Sequence, residues 1–422
     1  MVYASIIGCI IILFFIWQKS KDILAPPFII GTIWTIMYMA LLLRKETVDL
    51  SSIYYSSFVI GLLFFTIGFY FIVRNSKRTI SSISGQNPGK IRFNSFNMKI
   101  IILIEIALFL FFLVKVTLYI SGNFAYNFWQ TLSIGKATGM FTEGLIISYS
   151  RNAIIALTIV CSIAYFNNPT KKNKNYFLIS FIIALFFTVT GGSRGIIFML
   201  LFGVCFSAII IKKYGNKKIL VILFVLLSIV LTTFIAFAYM KYVYEDQSNT
   251  FEFVMKQFRI YFTTSMIAFV RWMETFNYYL YGTNTFRFFI EFLNVIGYNF
   301  DVSSTVQDFV IVYGDRTNVF TVLHYYAADY GLTYSFVILT LLGLTHGFLY
   351  KKAVVSTTLS PFFIALHSIF YFPLIYQFFS DQYLTILSTW LQLIFWFWLF
   401  TRKGFLIVGK FESEQSNDSI SS

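Results

Sequence analysis

Charge is what this sequence has least of. Asp, Glu, Lys and Arg make up 12% of the 422 residues, about half the usual share of a soluble domain. Six prolines exclude a collagen-like repeat. The three cysteines, Cys9, Cys161 and Cys205, each lie inside an apolar run. They are too scattered for a disulfide framework or a thiolate metal site. No HExxH, Walker A or CxxC motif occurs. Nor does an Asp-x-Asp pair, the pattern expected for metal–diphosphate glycosyl transfer from sugar nucleotides. With no soluble nucleotide domain, any activated donor must already reside in a membrane. No metal and no cofactor is implied.

What the chain has in abundance is apolar surface. Hydrophobic residues reach 58% and aromatics 21%, with 53 Phe and 28 Tyr, and the mean hydropathy is +0.75. A soluble fold of this length cannot bury that much, and a disordered chain does not carry it. The expected class is an all-α polytopic membrane protein. No cleavable signal peptide is expected, because the first apolar run begins at residue 2 with no basic region ahead of it.

A span needs roughly 20 apolar residues. Runs of this kind fall at about 2–17, 23–43, 53–73, 100–120, 145–166, 176–190, 196–211, 219–240, 329–350, 360–379 and 383–401, which predicts eleven helices. They divide the chain into a bundle of eight helices (1–240), an external segment (241–328), three further helices (329–403) and a polar tail (404–422). No internal repeat is visible, which counts against a transporter built from two matching halves. Twenty lysines and arginines fall in one set of alternate loops. The opposite short loops hold four: Arg44, Lys45, Lys136 and Arg194. Positive residues mark the cytoplasmic side, so the N-terminus is expected outside and the C-terminus inside. The net charge of +14 is then an orientation signal, and no nucleic-acid partner is needed to explain it.

The 241–328 segment is long, external and not hydrophilic. Phe253, Val254, Gln257, Phe258, Tyr261 and Phe262 have helical spacing, which predicts short amphipathic helices at the outer membrane–water interface. Arginine is concentrated on this outer side, at Arg44, Arg151, Arg194, Arg259, Arg271, Arg287 and Arg316, whereas lysine dominates the cytoplasmic loops. Lysine suffices for orientation. Arginine adds a planar fork that grips phosphate or carboxylate bidentately. The same arginines have external acids to pair with, so each can be read as structural or as anion-binding.

Arg151 stands about six residues into a span, roughly 9 Å deep, where a charge needs a cavity or a partner. Arg194 lies in the turn Thr190-Gly191-Gly192-Ser193-Arg194-Gly195, ahead of a helix whose first amides favour an anion. Glu105 and Lys115 each sit about five residues from the end of the 100–120 run, where snorkelling explains them. If the chain is helical from about Thr317, then Thr317, Thr321 and His324 share one face and Asn318, Tyr325 and Asp329 an adjacent one. His324 or Asp329 at the outer rim is a candidate general base toward a hydroxyl. An interfacial histidine in an aromatic belt is the plainer alternative. His346 and His367 read as helix-contact residues.

Three local features carry a resemblance: the turn Thr190–Gly195, the stretch Tyr261–Phe269, and Asn318-x-x-Thr321 followed by Tyr326-x-x-Asp329-Tyr330-Gly331. With the architecture of about eleven spans and one large external segment before the last three, the chain resembles the oligosaccharide repeat-unit polymerases of bacterial surface polysaccharides, the Wzy-type O-antigen and capsule polymerases. The turn is also similar to that of O-antigen ligases. The resemblance implies a metal-independent membrane glycosyltransferase in the bacterial plasma membrane. Its donor and acceptor would be undecaprenyl-diphosphate-linked oligosaccharides. A flippase and a chain-length regulator are the partners it brings with it. Growing glycan would leave its lipid diphosphate and be attacked by a sugar hydroxyl of the next repeat. Arg151, Arg194, Arg271, Arg287 and Arg316 would then contact the diphosphate, with His324 or Asp329 as base. A ligase with another acceptor, and a flippase for lipid-linked glycans, stay open as alternatives.

Overall fold

In the computed structural model, residues 1–44, 49–74, 90–122, 131–132, 135, 140–141, 144–190, 194–242, 256, 259–304, 307–356 and 358–408 are described. They form a mainly helical, multi-pass membrane protein. The expected helices each appear: α1 (Val2–Ser20), α2 (Pro26–Leu42), α3 (Ser56–Val73), α4 (Ser95–Ser121), α5 (Leu145–Asn167), α6 (Lys171–Thr190), α7 (Arg194–Lys212) and α8 (Asn216–Tyr242). After a long connecting segment, with α9 (Ser265–Thr275) and α10 (Arg287–Val295), come α11 (Val322–Tyr350), α12 (Pro361–Tyr376) and α13 (Leu387–Phe400). Eight of the described helices are long and apolar enough to cross a membrane, while α2, α12 and α13 are shorter. Apolar runs become helices because lipid offers no partner for a backbone amide or carbonyl.

Local chemistry sets several boundaries. Pro26 and Pro27 open α2, and Pro361 opens α12, positions where the missing amide proton is not needed. Asn94 caps α4 by accepting from Phe96 N at 3.2 Å, so α4 begins at Ser95, five residues before the expected run. Lys21, at φ 52°, closes α1.

The heart of the bundle is the parallel pair α3 and α11. A Cβ on Gly343 would lie 2.2 Å from Phe65 O, one on Gly68 2.2 Å from Thr340 O, and one on Gly347 2.8 Å from Phe69 O. Small residues there let the backbones touch, the association mode available where apolar burial gives no driving force. Around this pair, α12 packs on α7, and α5 contacts α6, α7 and α13.

Loop contacts sort into two ends. At one end, Met1 N reaches Leu50 O (3.0 Å), and Asp49 N bonds the Tyr313 hydroxyl (3.2 Å). At the other, Asn216 reaches Lys21 O (3.4 Å) and Tyr350 donates to Asp22 (2.6 Å). Strand β1 (Ile91–Phe93) also pairs there with β4 (Leu406–Val408). Strands β2 (Val310–Val312) and β3 (Asp315–Thr317) form an antiparallel hairpin at the first end. Tyr313 (φ 48°) and Gly314 (φ 80°) make its tip, the left-handed pair that a two-residue hairpin turn requires.

Two expectations need correction. The chain is not helical from Thr317: Thr317 ends β3, and α11 begins at Val322. The face shared by Thr317, Thr321 and His324 therefore does not exist. Moreover, α11 is broken at Tyr330 and at Gly331 (φ 83°, ψ 178°). Ser335 Oγ lies 3.5 Å from Leu323 O, although a straight helix would separate those residues by about 18 Å. The short helix 322–329 therefore folds back along the start of the spanning helix. Both Leu323 and Leu339 reach Gly61 of α3.

Candidate functional site

The hairpin tip organises the first end of the bundle. Asp315 is 1% exposed and accepts from two guanidiniums. Arg44, at the end of α2, donates to Oδ2 at 3.2 Å, and Arg259 donates to Oδ1 at 2.8 Å. Thr264 also donates to Oδ2 (3.2 Å), and Arg44 reaches the Thr263 and Thr264 hydroxyls at 3.4 and 3.3 Å. On the other flank of the tip, Arg271 of α9 lies over the Tyr313 ring, 4.5 Å from its centroid. The Tyr313 hydroxyl holds the guanidinium in its charged form and raises its pKa. Three arginines thus surround one turn. Arg271 is exposed, and the Arg259 side chain is 38% exposed.

The other expected arginines are placed separately. Arg316 points to the outer face of β3, over the Phe309 ring. Arg287 opens α10, where it bonds Glu291 and donates to Ser303 O at 2.8 Å. Arg151 is half-buried in the second turn of α5, beside Asn152, which bonds Gln392 of α13 at 2.8 Å. Arg194 begins α7; its side chain, and residues 191–193 of the glycine turn, lie outside the described residues, as does Lys45. The stretch Tyr261–Phe269 runs from a π-turn (Ile260–Thr264) into α9, with Ser265–Val270 buried against the bundle. Only α10 among these short helices lies with no residue buried.

His324 and Asp329 are not at an open rim. His324 is 4% exposed, stacked on Phe320 (4.1 Å) and edge-on to Trp272 (4.4 Å). Its Nδ1, like Thr321 Oγ1, finds no hydrogen-bond partner among the described residues. A cavity of about 10 Å³ lies nearby, against Val322, Leu323 and Gln377, room for about one water. Asp329 is fully buried. It accepts from Asn284 N and Nδ2 (both 3.1 Å), Thr285 N (2.7 Å) and Thr285 Oγ1 (2.5 Å). That carboxylate fastens the chain at 284–285 to the end of the folded-back helix, and its lone pairs are occupied. His346 bonds the Tyr383 hydroxyl (3.0 Å) and His367 the Tyr371 hydroxyl (3.2 Å), both in helix contacts as expected.

Sequence reasoning placed Arg44 and Arg259 among the outer arginines but not in the diphosphate set, and it passed over Asp315 and the hairpin that joins them. Their signal was present but weak: a β-rich run, Val310–Val312, followed by Tyr-Gly and an acid. No family model, no curated protein and no solved structure matches this chain.

Proposed function

We propose that this chain polymerises lipid-diphosphate-linked oligosaccharide repeat units, of the undecaprenyl type, into a surface polysaccharide. The reaction takes place at the outer face of a bacterial plasma membrane. In this reading the eight long helices and the shorter α2, α12 and α13 all cross, the N-terminus is outside and the C-terminus is cytoplasmic. The two sets of loop contacts support this sidedness: the end holding Met1, Asp49 and Tyr313 belongs to the lysine-poor loops, and the end holding Lys21 and Asn216 to the lysine-rich ones.

The observation that carries the reading is the gathering of Arg44, Arg259 and Arg271 around the hairpin tip at the outer end. A leaving diphosphate needs charge stabilisation more than protonation, and preorganised guanidiniums supply it without a metal. Asp315 holds two of them in place before substrate arrives. Arg151, Arg194, Arg287 and Arg316 are kept as further proposed contacts to the diphosphate. His324, as base toward the acceptor hydroxyl, requires that Trp272 or Phe320 move aside. The test is complementation of a polymerase-deficient strain, scored by glycan ladder length. Arg259→Ala and Arg271→Ala shorten or abolish the ladder, whereas full-length ladders from both would remove the diphosphate assignment. The Thr190–Gly195 turn also suits a ligase using the same donor. A deletion strain with one-repeat glycan supports the polymerase, and one with no attached glycan supports the ligase.

A further inference from the structure

Glu105 does not snorkel. Because α4 starts at Ser95, Glu105 stands ten residues from one end, about 15 Å, and sixteen from the other, about 24 Å. It is 3% exposed, although its neighbours Leu103 and Ile104 face outward. Its carboxyl points into the contact of α4 with α5 and α6. Oε1 accepts from Ser180 Oγ at 3.0 Å. Ser180 Oγ lies 2.8 Å from Thr158 Oγ1, and Thr158 donates to Ile154 O at 2.8 Å. Oε2 is buried with no partner among the described residues. No described lysine, arginine or histidine forms an ion pair with it. Cys161 is the titratable neighbour on α5. The lysines of α6, Lys171, Lys172 and Lys174, stand six or more residues from Ser180, at least about 9 Å. Lys115 is ten residues further along α4.

An ionised carboxylate there, without a counter-charge, is strongly disfavoured, and such groups take up a proton instead. The hydroxyl ladder serves both states. In the acid, Oε1–H donates to Ser180, Ser180 to Thr158, and Thr158 to Ile154 O. In the carboxylate, Ser180 turns its proton to Oε1 and Thr158 turns its own to Ser180 Oγ. Two hydroxyl rotations accommodate the change and no heavy atom need move.

We infer that Glu105, with Ser180 and Thr158, is a reversible proton-binding site inside the membrane-spanning bundle, distinct from the outer arginine cluster. The O–H bond forms with a proton from water and breaks by returning it, so no other reactant is needed. Intramembrane ionisable groups mark this kind of role.

The test is labelling of the full chain in liposomes with the lipid-soluble dicyclohexylcarbodiimide, which modifies protonated carboxyls, followed by peptide mass mapping. The expected result is an adduct at Glu105 that is absent in Glu105→Gln, whatever other buried carboxyls are labelled. Above its midpoint, labelling falls about tenfold per pH unit, as for one titrating group. Ser180→Ala removes a donor to the carboxylate and moves that midpoint up by about one pH unit. No adduct at Glu105 at any pH, or labelling there that stays level into the alkaline range, would overturn the inference. Protection by sodium chloride but not choline chloride at fixed pH would replace it with a sodium site. Glutamine keeps the volume and an acceptor for Ser180. If Glu105→Gln nonetheless fails to fold, the adduct map of the unaltered chain decides alone.

Discussion

Replacing Asp315 with asparagine removes the charge that Arg44 and Arg259 share. The two pairs differ in worth. The Arg44 side chain is 3% exposed and Asp315 1%, so this is a buried pair, and breaking one by removing a partner costs about 3–5 kcal/mol. The Arg259 side chain is 38% exposed; solvent screens it, and its share is about 0–1 kcal/mol. Most of the loss therefore comes from the Arg44 pair, whose guanidinium also reaches the Thr263 and Thr264 hydroxyls. At about 2 °C per kcal/mol for a large domain, the melting temperature should fall by about 6–10 °C. A thiol-reactive fluorescent dye can follow melting, since Cys9 and Cys161 are free and buried and become reactive on unfolding. A rescue is also expected: in the pair Arg44→Met with Asp315→Asn, the buried cation is gone together with its carboxylate and at least half of the loss returns. A shift below about 2 °C for Asp315→Asn, or a double variant that loses the sum of the two singles, would refute it.

Two further outcomes follow from other carboxylates. Asp22, in the α1–α2 connection, has its pKa raised by burial, against opposing hydrogen bonds from Tyr350 and Leu24. The folded state therefore holds its proton more tightly than the unfolded chain does. That stability is complete below the ordinary aspartate value, about 3.9, and is lost as pH rises through the folded-state value. Melting temperature should fall over that window, and Asp22→Asn should remove this part of the fall; an identical fall in the variant counts against the assignment. Asp329→Ala removes the acceptor of Asn284 N, Thr285 N and Thr285 Oγ1, while Asn284 Nδ2 keeps Tyr325 O; a buried donor left unmade costs about 1–3 kcal/mol. Hydrogen exchange at the Asn284 and Thr285 amides should quicken at least about tenfold, and unchanged exchange would show that Asp329 does not fasten that segment.

The helices were legible because each is an apolar run long enough to be read without context. Even α2, α12 and α13, at 17, 16 and 14 residues, sit where the runs are. Boundaries were less so: the Asn94 cap that lengthens α4 depends on one side chain, and it moved Glu105 from a snorkelling position to an interior one. The break in α11 was hidden because Val322–Asp329 is itself helical, so no change of periodicity marks where the chain folds back. Only Gly331 marks the place, and a lone glycine inside a helical run is a weak sign. The arginine types were readable, but their partners were not. Arg44 and Asp315 are 271 residues apart, and Arg259 and Asp315 56. Contacts of that separation come from helix packing, which periodicity does not encode. For the same reason, the burial of His324 against Trp272, from a different helix, could not be read from its neighbours in sequence.

The central claim is that the outer face joins lipid-linked glycans. The most direct measurement uses the purified full chain in liposomes with lipid-diphosphate-linked repeat units and no added metal, and follows product length by gel and mass spectrometry. A ladder of products with two or more repeats on one lipid, with release of free lipid diphosphate, is the result expected. Repeat units that cross the bilayer but never lengthen, or that remain unchanged, would contradict it.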